Sequence, residues 1–176
     1  MSRREMRGNA ADSASCSFAI VASHFNPKVT DALVDGAVHT LQEQGVALEK
    51  IAIYRVPGAF EVPLACQWAI ASVDAVIALS CIIRGGTPHF DFVANEVSNG
   101  CTRVSLDSGK PVAFGVLTCD DLEQALERSS GVALPAQGKA GAGDETGAPL
   151  HGNKGSEAAM AALEMLSLKR QVIRGQ

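Results

Sequence analysis

The segment with the clearest chemical capacity is Arg84-Gly-Gly-Thr-Pro-His89. Its two glycines allow backbone amides to approach an anion, Thr87 adds a hydroxyl donor, and His89 stands where a helix would begin. A histidine can both accept and deliver a proton near neutral pH. The segment therefore predicts a phosphate-binding loop with an acid/base group beside it. A tight turn in which His89 is only a polar helix cap is the alternative.

Aromatic and charged residues stand in other predicted loops. Phe25 follows the first apolar run and Phe60 follows the second. Either ring could stack on a planar ligand or simply fill the core. Glu61 could accept hydrogen bonds from ligand hydroxyls or cap the amides of its own helix. Arg128 and Lys154 offer positive charges to an anion, and ordinary solvated surface charges are the alternative for both.

Alternating strands and helices must position these loops. Short apolar runs predict strands over residues 17–23, 48–54, 75–83 and 111–119. Periodic runs predict helices over 27–44, 59–72, 90–97 or further, 122–128 and 156–173. Asn26 is expected to cap the first helix, with Pro27 at its first position.

This alternation predicts right-handed crossovers and an α/β fold class. We expect a single-domain three-layer α/β/α sandwich with a four-stranded parallel sheet. In such sheets ligands bind beyond the carboxyl ends of the strands. The loops that follow the four strands should therefore share one edge, and that edge is where a site is expected.

Two segments fall outside this pattern. Residues 1–16 have a basic start but lack the apolar stretch of a signal peptide, so they predict a disordered N-terminal tail. Residues at about 131–151 are rich in Gly, Ala and Pro without apolar periodicity, which predicts a loop insertion. One domain over 17–174 is expected.

Composition argues against several classes of protein. The net charge of −4 argues against a nucleic-acid partner, and no apolar run approaches the length of a membrane span. Five cysteines without a Cys-x-x-Cys pair predict reduced thiols and a cytoplasmic location. No histidines have metal-ligand spacing, so no metal site is expected. No Gly-x-Gly-x-x-Gly follows the first strand, which leaves dinucleotide binding unsupported.

Six segments, in this order along the chain, resemble the lumazine synthase family. They are Ser23-His-Phe-Asn26, Val56-Pro-Gly-Ala-Phe-Glu-Val-Pro63, Ile82-Ile-Arg-Gly-Gly-Thr-Pro-His-Phe-Asp91, Pro111-Val-Ala-Phe-Gly-Val-Leu-Thr118, Gln124-Ala-Leu-Glu-Arg128 and Asn153-Lys-Gly-Ser-Glu-Ala-Ala159. They cover nearly the whole chain between residues 17 and 168, and their combination is specific. The resemblance implies a flavodoxin-like fold and a role in riboflavin biosynthesis.

The resemblance also implies the reaction. A transferase of this family condenses 5-amino-6-(D-ribitylamino)uracil with 3,4-dihydroxy-2-butanone 4-phosphate to give 6,7-dimethyl-8-ribityllumazine, phosphate and water, without a metal or cofactor. By motif match, Phe25 stacks on the pyrimidine ring, His89 moves protons, and Gly86 and Thr87 hold the phosphate together with Arg128. The other positions implied to bind substrate are Asn26, Ala59, Phe60, Glu61, Ile82, Ile83, Phe114 and Lys154.

In the family, sites lie between neighbouring subunits of a pentamer. The positions that match Phe114, Arg128 and Lys154 then face the partner's loops, so the resemblance implies a homopentamer. Arg128 and Asn153 stand 25 positions apart, further than in many members. This joint helps to determine whether pentamers assemble into hollow shells. Because a bulky loop should obstruct shell contacts, we expect a free pentamer.

Three positions depart from the family pattern near the site. Ser80 stands where glycine is frequent, Gly86 stands where glutamate or alanine is frequent, and Ser129-Ser130 replaces Ala-Gly after Arg128. The functional alternative is a catalytically weak paralogue that binds riboflavin or a lumazine. Retention of His89, Arg128 and Lys154 favours the enzyme. A flavodoxin-like electron-transfer domain would need a Ser/Thr/Gly-rich phosphate loop after the first strand, and that loop is missing.

Overall fold

The computed structural model describes residues 5–130 and 152–174. Within these residues four parallel strands form one sheet in the order β2-β1-β3-β4. The strands are β1 (Phe18–Ser23), β2 (Ile51–Val56), β3 (Ala75–Ile83) and β4 (Val112–Cys119). All of β1 and nearly all of β3 are buried, as expected for central strands covered on both faces. The predicted insertion at 131–151 lies outside the described residues.

Helices cover both faces of this sheet. The α-helices among the described residues are α1 (Pro27–Glu43), α2 (Val62–Ala69), α3 (His89–Ser108), α4 (Leu122–Ser130) and α5 (Lys154–Arg174). Helices α1, α4 and α5 pack on the face that holds Phe18 and Ile20, and α2 and α3 pack on the face that holds Ala19 and Val21. The predicted flavodoxin-like α/β/α sandwich is confirmed. None of these helices is long and apolar enough to cross a membrane.

The bounds of α2 and α3 differ from the prediction. The predicted helix from residue 59 opens as a 3-10 turn over Ala59–Glu61 and becomes α-helical only at Val62. Pro63 lies in the first turn of α2, where its missing N–H costs no helical hydrogen bond. Helix α3 continues past Gly100 to Ser108. A Cβ on Gly100 would press into the Pro63 ring, so glycine at this position lets α2 and α3 pack closely.

The prediction of a disordered tail over residues 1–16 is wrong for its second half. Ala10–Ser13 form a 3-10 turn packed on α5. The buried Ser13 hydroxyl donates to the Leu163 carbonyl oxygen at 2.9 Å. Small residues indicated disorder in the sequence, but here they let the turn approach the helix closely. Residues 1–4 lie outside the described residues.

Helix α5 packs closely on α1, and its small residues permit this. A Cβ on Gly155 would overlap the Leu33 carbonyl oxygen. Asn153 caps α5, since its Oδ1 accepts the Gly155 N–H at 2.8 Å. Its Nδ2 donates to the Ala32 carbonyl at 2.8 Å and also to the Ser129 carbonyl. One side chain therefore joins α1, α4 and α5.

Candidate active site

The four strands end at one edge of the sheet, and backbone hydrogen bonds join the loops that follow them. The N–H of His24 donates to the Val56 carbonyl at 2.7 Å, which ties the loop after β1 to the end of β2. The N–H of Arg84 donates to the Cys119 carbonyl at 2.9 Å, which ties the loop after β3 to the end of β4. The predicted sharing of one edge therefore holds.

A cleft of about 650 Å³ opens at this edge. Its volume lies in the usual range for small-molecule sites, and its lining is mainly apolar with a few polar groups. The lining residues are Phe25, Gly58, Ala59, Phe60, Glu61, Cys81, Ile82, Ile83, Gly85, Thr87, His89, Phe90, Phe92 and Val93. From the predicted set, the structure thus brings together Phe25, Ala59, Phe60, Glu61, Ile82, Ile83, Thr87 and His89.

Aromatic rings stand exposed around this cleft. Phe25 is 68% exposed and Phe60 is 60% exposed, so the alternative that they fill the core is wrong for both. Phe92 of α3 adds a third ring at 70% exposure. Clustered exposed rings favour a planar ligand, because such a ligand would cover apolar surface and stack on the ring faces.

Asn26 holds the Phe25 loop against the sheet. It occupies the N-cap position of α1 in the left-handed conformation, with φ of 57°, which asparagine tolerates. The expected side-chain cap is absent. Instead, Nδ2 of Asn26 donates to the Cys81 carbonyl at 3.0 Å. Asn26 does not line the cleft; it fixes the loop that carries Phe25 to the end of β3.

Glu61 serves the fold and faces the cleft. Its Oε2 accepts the Gly58 N–H at 2.9 Å, which is the amide-binding role considered from the sequence. Its Oε1 has no hydrogen-bond partner within residues 5–130 and 152–174. The carboxylate therefore braces the turn before α2 and still presents an acceptor to a ligand hydroxyl.

The loop between β3 and α3 has open space along its backbone. Gly85 and Thr87 line the cleft, whereas Gly86 lies in the same loop but outside the lining. Neither glycine has a positive φ, and a Cβ on either would meet nothing within 4 Å. The fold of the single chain therefore does not require glycine here. Close approach of a ligand to the backbone would require it.

His89 begins α3 and lines the cleft. The N-cap residue of α3 is Pro88, and the alternative that His89 is a polar cap is wrong. In the described part of the chain its ring has no hydrogen-bond partner. The imidazole is therefore free to contact a ligand bound in the cleft.

The cleft thiol is not suited to nucleophilic chemistry. Burial, with a further contribution from Cys119, raises the pKa of Cys81 to about 12, so the thiol is protonated at neutral pH. Among the described residues, His, Cys, Asp and Glu side chains form no cluster of the kind that holds a metal ion. The groups available in the cleft are rings, a carboxylate, a hydroxyl, backbone amides and an imidazole.

Comparison with known families agrees with this arrangement. A family model for 6,7-dimethyl-8-ribityllumazine synthase matches residues 15–170 of the 176-residue chain. The chain belongs to that family. Membership of the lumazine synthase family gives it a role in riboflavin biosynthesis as a transferase that acts on small molecules.

Besides Asn26 and Gly86, three residues implied by the lumazine synthase resemblance lie outside the cleft of their own chain. Phe114 of β4 borders a separate cavity of about 350 Å³ beside α3. Arg128 of α4 is half-buried and donates to the Gln124 carbonyl at 3.4 Å. Lys154 begins α5, and its Nζ lies 2.6 Å from Oε2 of Glu157. One chain therefore does not bring these residues to the rest of the predicted site.

Sequence reasoning missed part of the cleft lining. Phe92 and Val93 line it because they lie three and four positions after His89 and share its helix face. This spacing was the sequence signal that could have identified both residues as cleft residues. Gly58 and Cys81 line the cleft through their places at a turn and a strand end, and no side-chain chemistry marked them in the sequence.

Ser80, which stands where glycine is frequent in the family, has a hydrogen-bond partner in the structure. Ser80 is buried in β3, and its hydroxyl lies 2.7 Å from the hydroxyl of Ser23 in β1. The two residues therefore satisfy each other's hydrogen bonding across the central strands. Ser80 does not line the cleft, so the substitution changes the support beneath it and not its surface.

Proposed function

We propose that this protein condenses 5-amino-6-(D-ribitylamino)uracil with 3,4-dihydroxy-2-butanone 4-phosphate, giving 6,7-dimethyl-8-ribityllumazine, phosphate and water. The observation that carries the proposal is the cleft, in which two exposed rings, a carboxylate, an open glycine loop and an imidazole meet. The rings suit the pyrimidine ring, and the carboxylate suits the ribityl hydroxyls. The glycine loop suits the phosphate, and the imidazole suits the protons that the reaction transfers.

The proposed roles follow from the positions of the side chains. Phe25 and Phe60 hold the pyrimidine ring, and Glu61 accepts a ribityl hydroxyl. The backbone of Gly85 and Gly86, with the Thr87 hydroxyl, binds the phosphate near the first turn of α3. Ile82 and Ile83 form the apolar wall at the end of β3.

His89 is the proposed proton carrier. The amine nitrogen attacks the ketone carbon, and water leaves as the imine forms. Inorganic phosphate leaves in a separate elimination. The ribityl-bearing nitrogen then attacks the remaining carbonyl carbon and closes the second ring, and a second water leaves. Each of these steps moves a proton, and His89 stands at the cleft with no competing hydrogen bond in the described part of the chain. Most of the remaining rate enhancement comes from holding amine and ketone together in an oriented, desolvated pair.

We further propose that Arg128, Lys154 and Phe114 act on the cleft of a neighbouring subunit in a homopentamer. All three lie away from the cleft of their own chain. The exposed apolar side chains of α2 support an oligomer, since Leu64 and the 69%-exposed Trp68 continue the helix face begun by Phe60. Arg128 would then stabilise the charge of the leaving phosphate.

We place the protein in the cytoplasm, because all five cysteines are free and buried. Such thiols suit a reducing compartment.

Turnover with both substrates tests the proposed reaction, with His89→Ala as the diagnostic variant. Loss of a proton carrier should lower kcat by roughly 10²- to 10⁴-fold. His39→Asn is the matched control, because His39 is exposed on α1 and only pairs with Glu43 at 3.1 Å. Its kcat should equal that of the wild type.

The outcomes separate the enzyme from a binding protein. Formation of the lumazine together with phosphate, abolished in the His89 variant and kept in the His39 variant, supports the proposal. Tight binding of riboflavin or a lumazine without turnover would instead show a binding paralogue.

A further inference from the structure

The side chain of Arg84, a loop residue, contacts Asp91, Asp120 and Phe90. Its Nε donates to Oδ1 of Asp120 at 3.1 Å, and its Nη1 lies 3.3 Å from Oδ1 of Asp91. The guanidinium carbon lies 4.1 Å from the centre of the Phe90 ring. Through its side chain alone, Arg84 therefore connects the loop after β3 with the first turn of α3 and with the loop after β4.

These contacts tie two carboxylates to Arg84, the first residue of the loop proposed to bind phosphate. Asp91 stands two positions after His89, and Asp120 follows β4, whose end is joined to the loop by the Arg84 backbone N–H. Without compensation, both carboxylates would repel an incoming phosphate dianion. Arg84 is the positive charge that reaches both of them.

The geometry points to Arg84 as the positioning residue of the phosphate loop, and this inference rests on the function proposed above. By clamping Asp91 and Asp120, it fixes where Thr87 and His89 stand and offsets part of the negative charge that would weaken phosphate binding. Its guanidinium is already engaged by two carboxylates and a ring, so it acts through these partners and not by touching the substrate.

The first variant is Arg84→Gln, which removes the positive charge and the guanidinium N–H groups that donate to both carboxylates. We expect KM for the phosphorylated ketone to rise about tenfold at low ionic strength, as one lost charge beside a dianion would cause. The KM for the pyrimidine amine should stay within about twofold, because that ring lies on uncharged side chains. The rise should shrink in high salt, since salt screens exposed charges.

A triple variant separates charge compensation from a general loss of structure. In Arg84→Gln combined with Asp91→Asn and Asp120→Asn, the repelling carboxylates are gone, and KM for the ketone should return most of the way to its wild-type value. If Arg84→Gln does not fold, Arg84→Lys serves, because its single ammonium cannot bridge both carboxylates as the fork does. It should raise the same KM by about threefold, again in a salt-sensitive way.

Arg103→Gln is the matched control. Arg103 lies on α3, about four turns after His89, and pairs with Asp107 at 3.4 Å. This exposed pair is therefore about 20 Å along the helix from the proposed phosphate loop, and both KM values should be unchanged.

Four results would each overturn the inference: equal rises in both KM values, no rise at all, a rise that salt does not reduce, or a triple variant whose KM for the ketone is as high as that of Arg84→Gln. If the wild type shows no turnover, the proposed function fails, and calorimetric titration with inorganic phosphate tests Arg84 separately. Arg84→Gln should then bind phosphate about tenfold more weakly than the wild type at low salt. Equal affinity would overturn the role of Arg84.

Discussion

Single side chains at the strand ends often serve the fold and the cleft together. Glu61 braces its own turn through one oxygen and offers the other to a ligand. Asn26 gives up the expected helix cap and fastens the loop that carries Phe25 to the end of β3. The local sequence predicted which residues stand in these loops. It could not show the Asn26 contact, because Cys81 is 55 positions away along the chain.

The Ser23–Ser80 pair gives a prediction at the scale of one hydrogen bond. Ser80→Ala should lower the free energy of unfolding by about 1–2 kcal/mol, because it leaves the Ser23 hydroxyl buried without its partner. The double variant Ser23→Ala/Ser80→Ala should cost less than the sum of the two single variants. Urea unfolding of the four proteins measures this. Additive single effects would mean that the two hydroxyls do not depend on each other.

At the scale of elements, apolar patterning predicted the strands, the helices and the edge that holds the cleft. Patterning failed where a local rule competed with packing. The turn at Ala10–Ser13 is too short to show periodicity, and a long-range contact with α5 holds it in addition to its local Asn9 cap. Likewise, β2 begins at Ile51 and not at Leu48, because a 3-10 turn over Leu48–Lys50 comes first. That second turn is closed locally, by the Lys50 N–H on the Ala47 carbonyl.

The start of β1 gives a pH-dependent prediction. Asp74 precedes β3, and its Oδ2 accepts the Ser17 N–H at 2.8 Å and the Ser17 hydroxyl at 2.9 Å. Burial raises the pKa of Asp74, but these hydrogen bonds, with the charges of Lys110 and Arg170, outweigh it and lower the pKa overall. The ionised carboxylate therefore stabilises the fold above the unfolded pKa of about 4, and this contribution is lost as pH falls through the folded pKa.

Asp74→Ala tests this contribution. Because the side chain is mostly exposed and only partly buried, we expect a loss of only about 0.5–1 kcal/mol in the free energy of unfolding at pH 7. The difference from the wild type should shrink as the pH is lowered toward 3. Denaturant unfolding at several pH values measures it, and a difference that is constant with pH would contradict the role assigned to the carboxylate.

At the scale of the whole molecule, one chain does not bring together all the residues of the proposed site. The cleft holds His89, but Arg128 lies elsewhere, on α4. The sequence placed both residues in one site only through the family resemblance, since no local pattern reveals a contact between copies. The ends of α4 and α5 on either side of the predicted insertion are held together, because the Asn153 side chain donates to the Ser129 carbonyl.

A mixing experiment tests the shared site. His89→Ala and Arg128→Gln subunits should each be nearly inactive alone. When they are refolded together, about a quarter of the sites in random pentamers would combine an intact His89 with a neighbour's intact Arg128. Activity should recover accordingly, and no recovery would place both residues in one chain's site.

Sedimentation should show a free pentamer, and a shell-sized particle would contradict the assembly we expect.

The measurement that tests the central claim most directly is the stoichiometry of the reaction. The purified wild-type protein is supplied with the pyrimidine amine and the phosphorylated ketone, in the presence of a metal chelator and without any added cofactor. Lumazine absorbance and released inorganic phosphate are followed together. We predict that both products appear at the same rate, in a one-to-one ratio. Phosphate release without lumazine, or no turnover, would contradict the account.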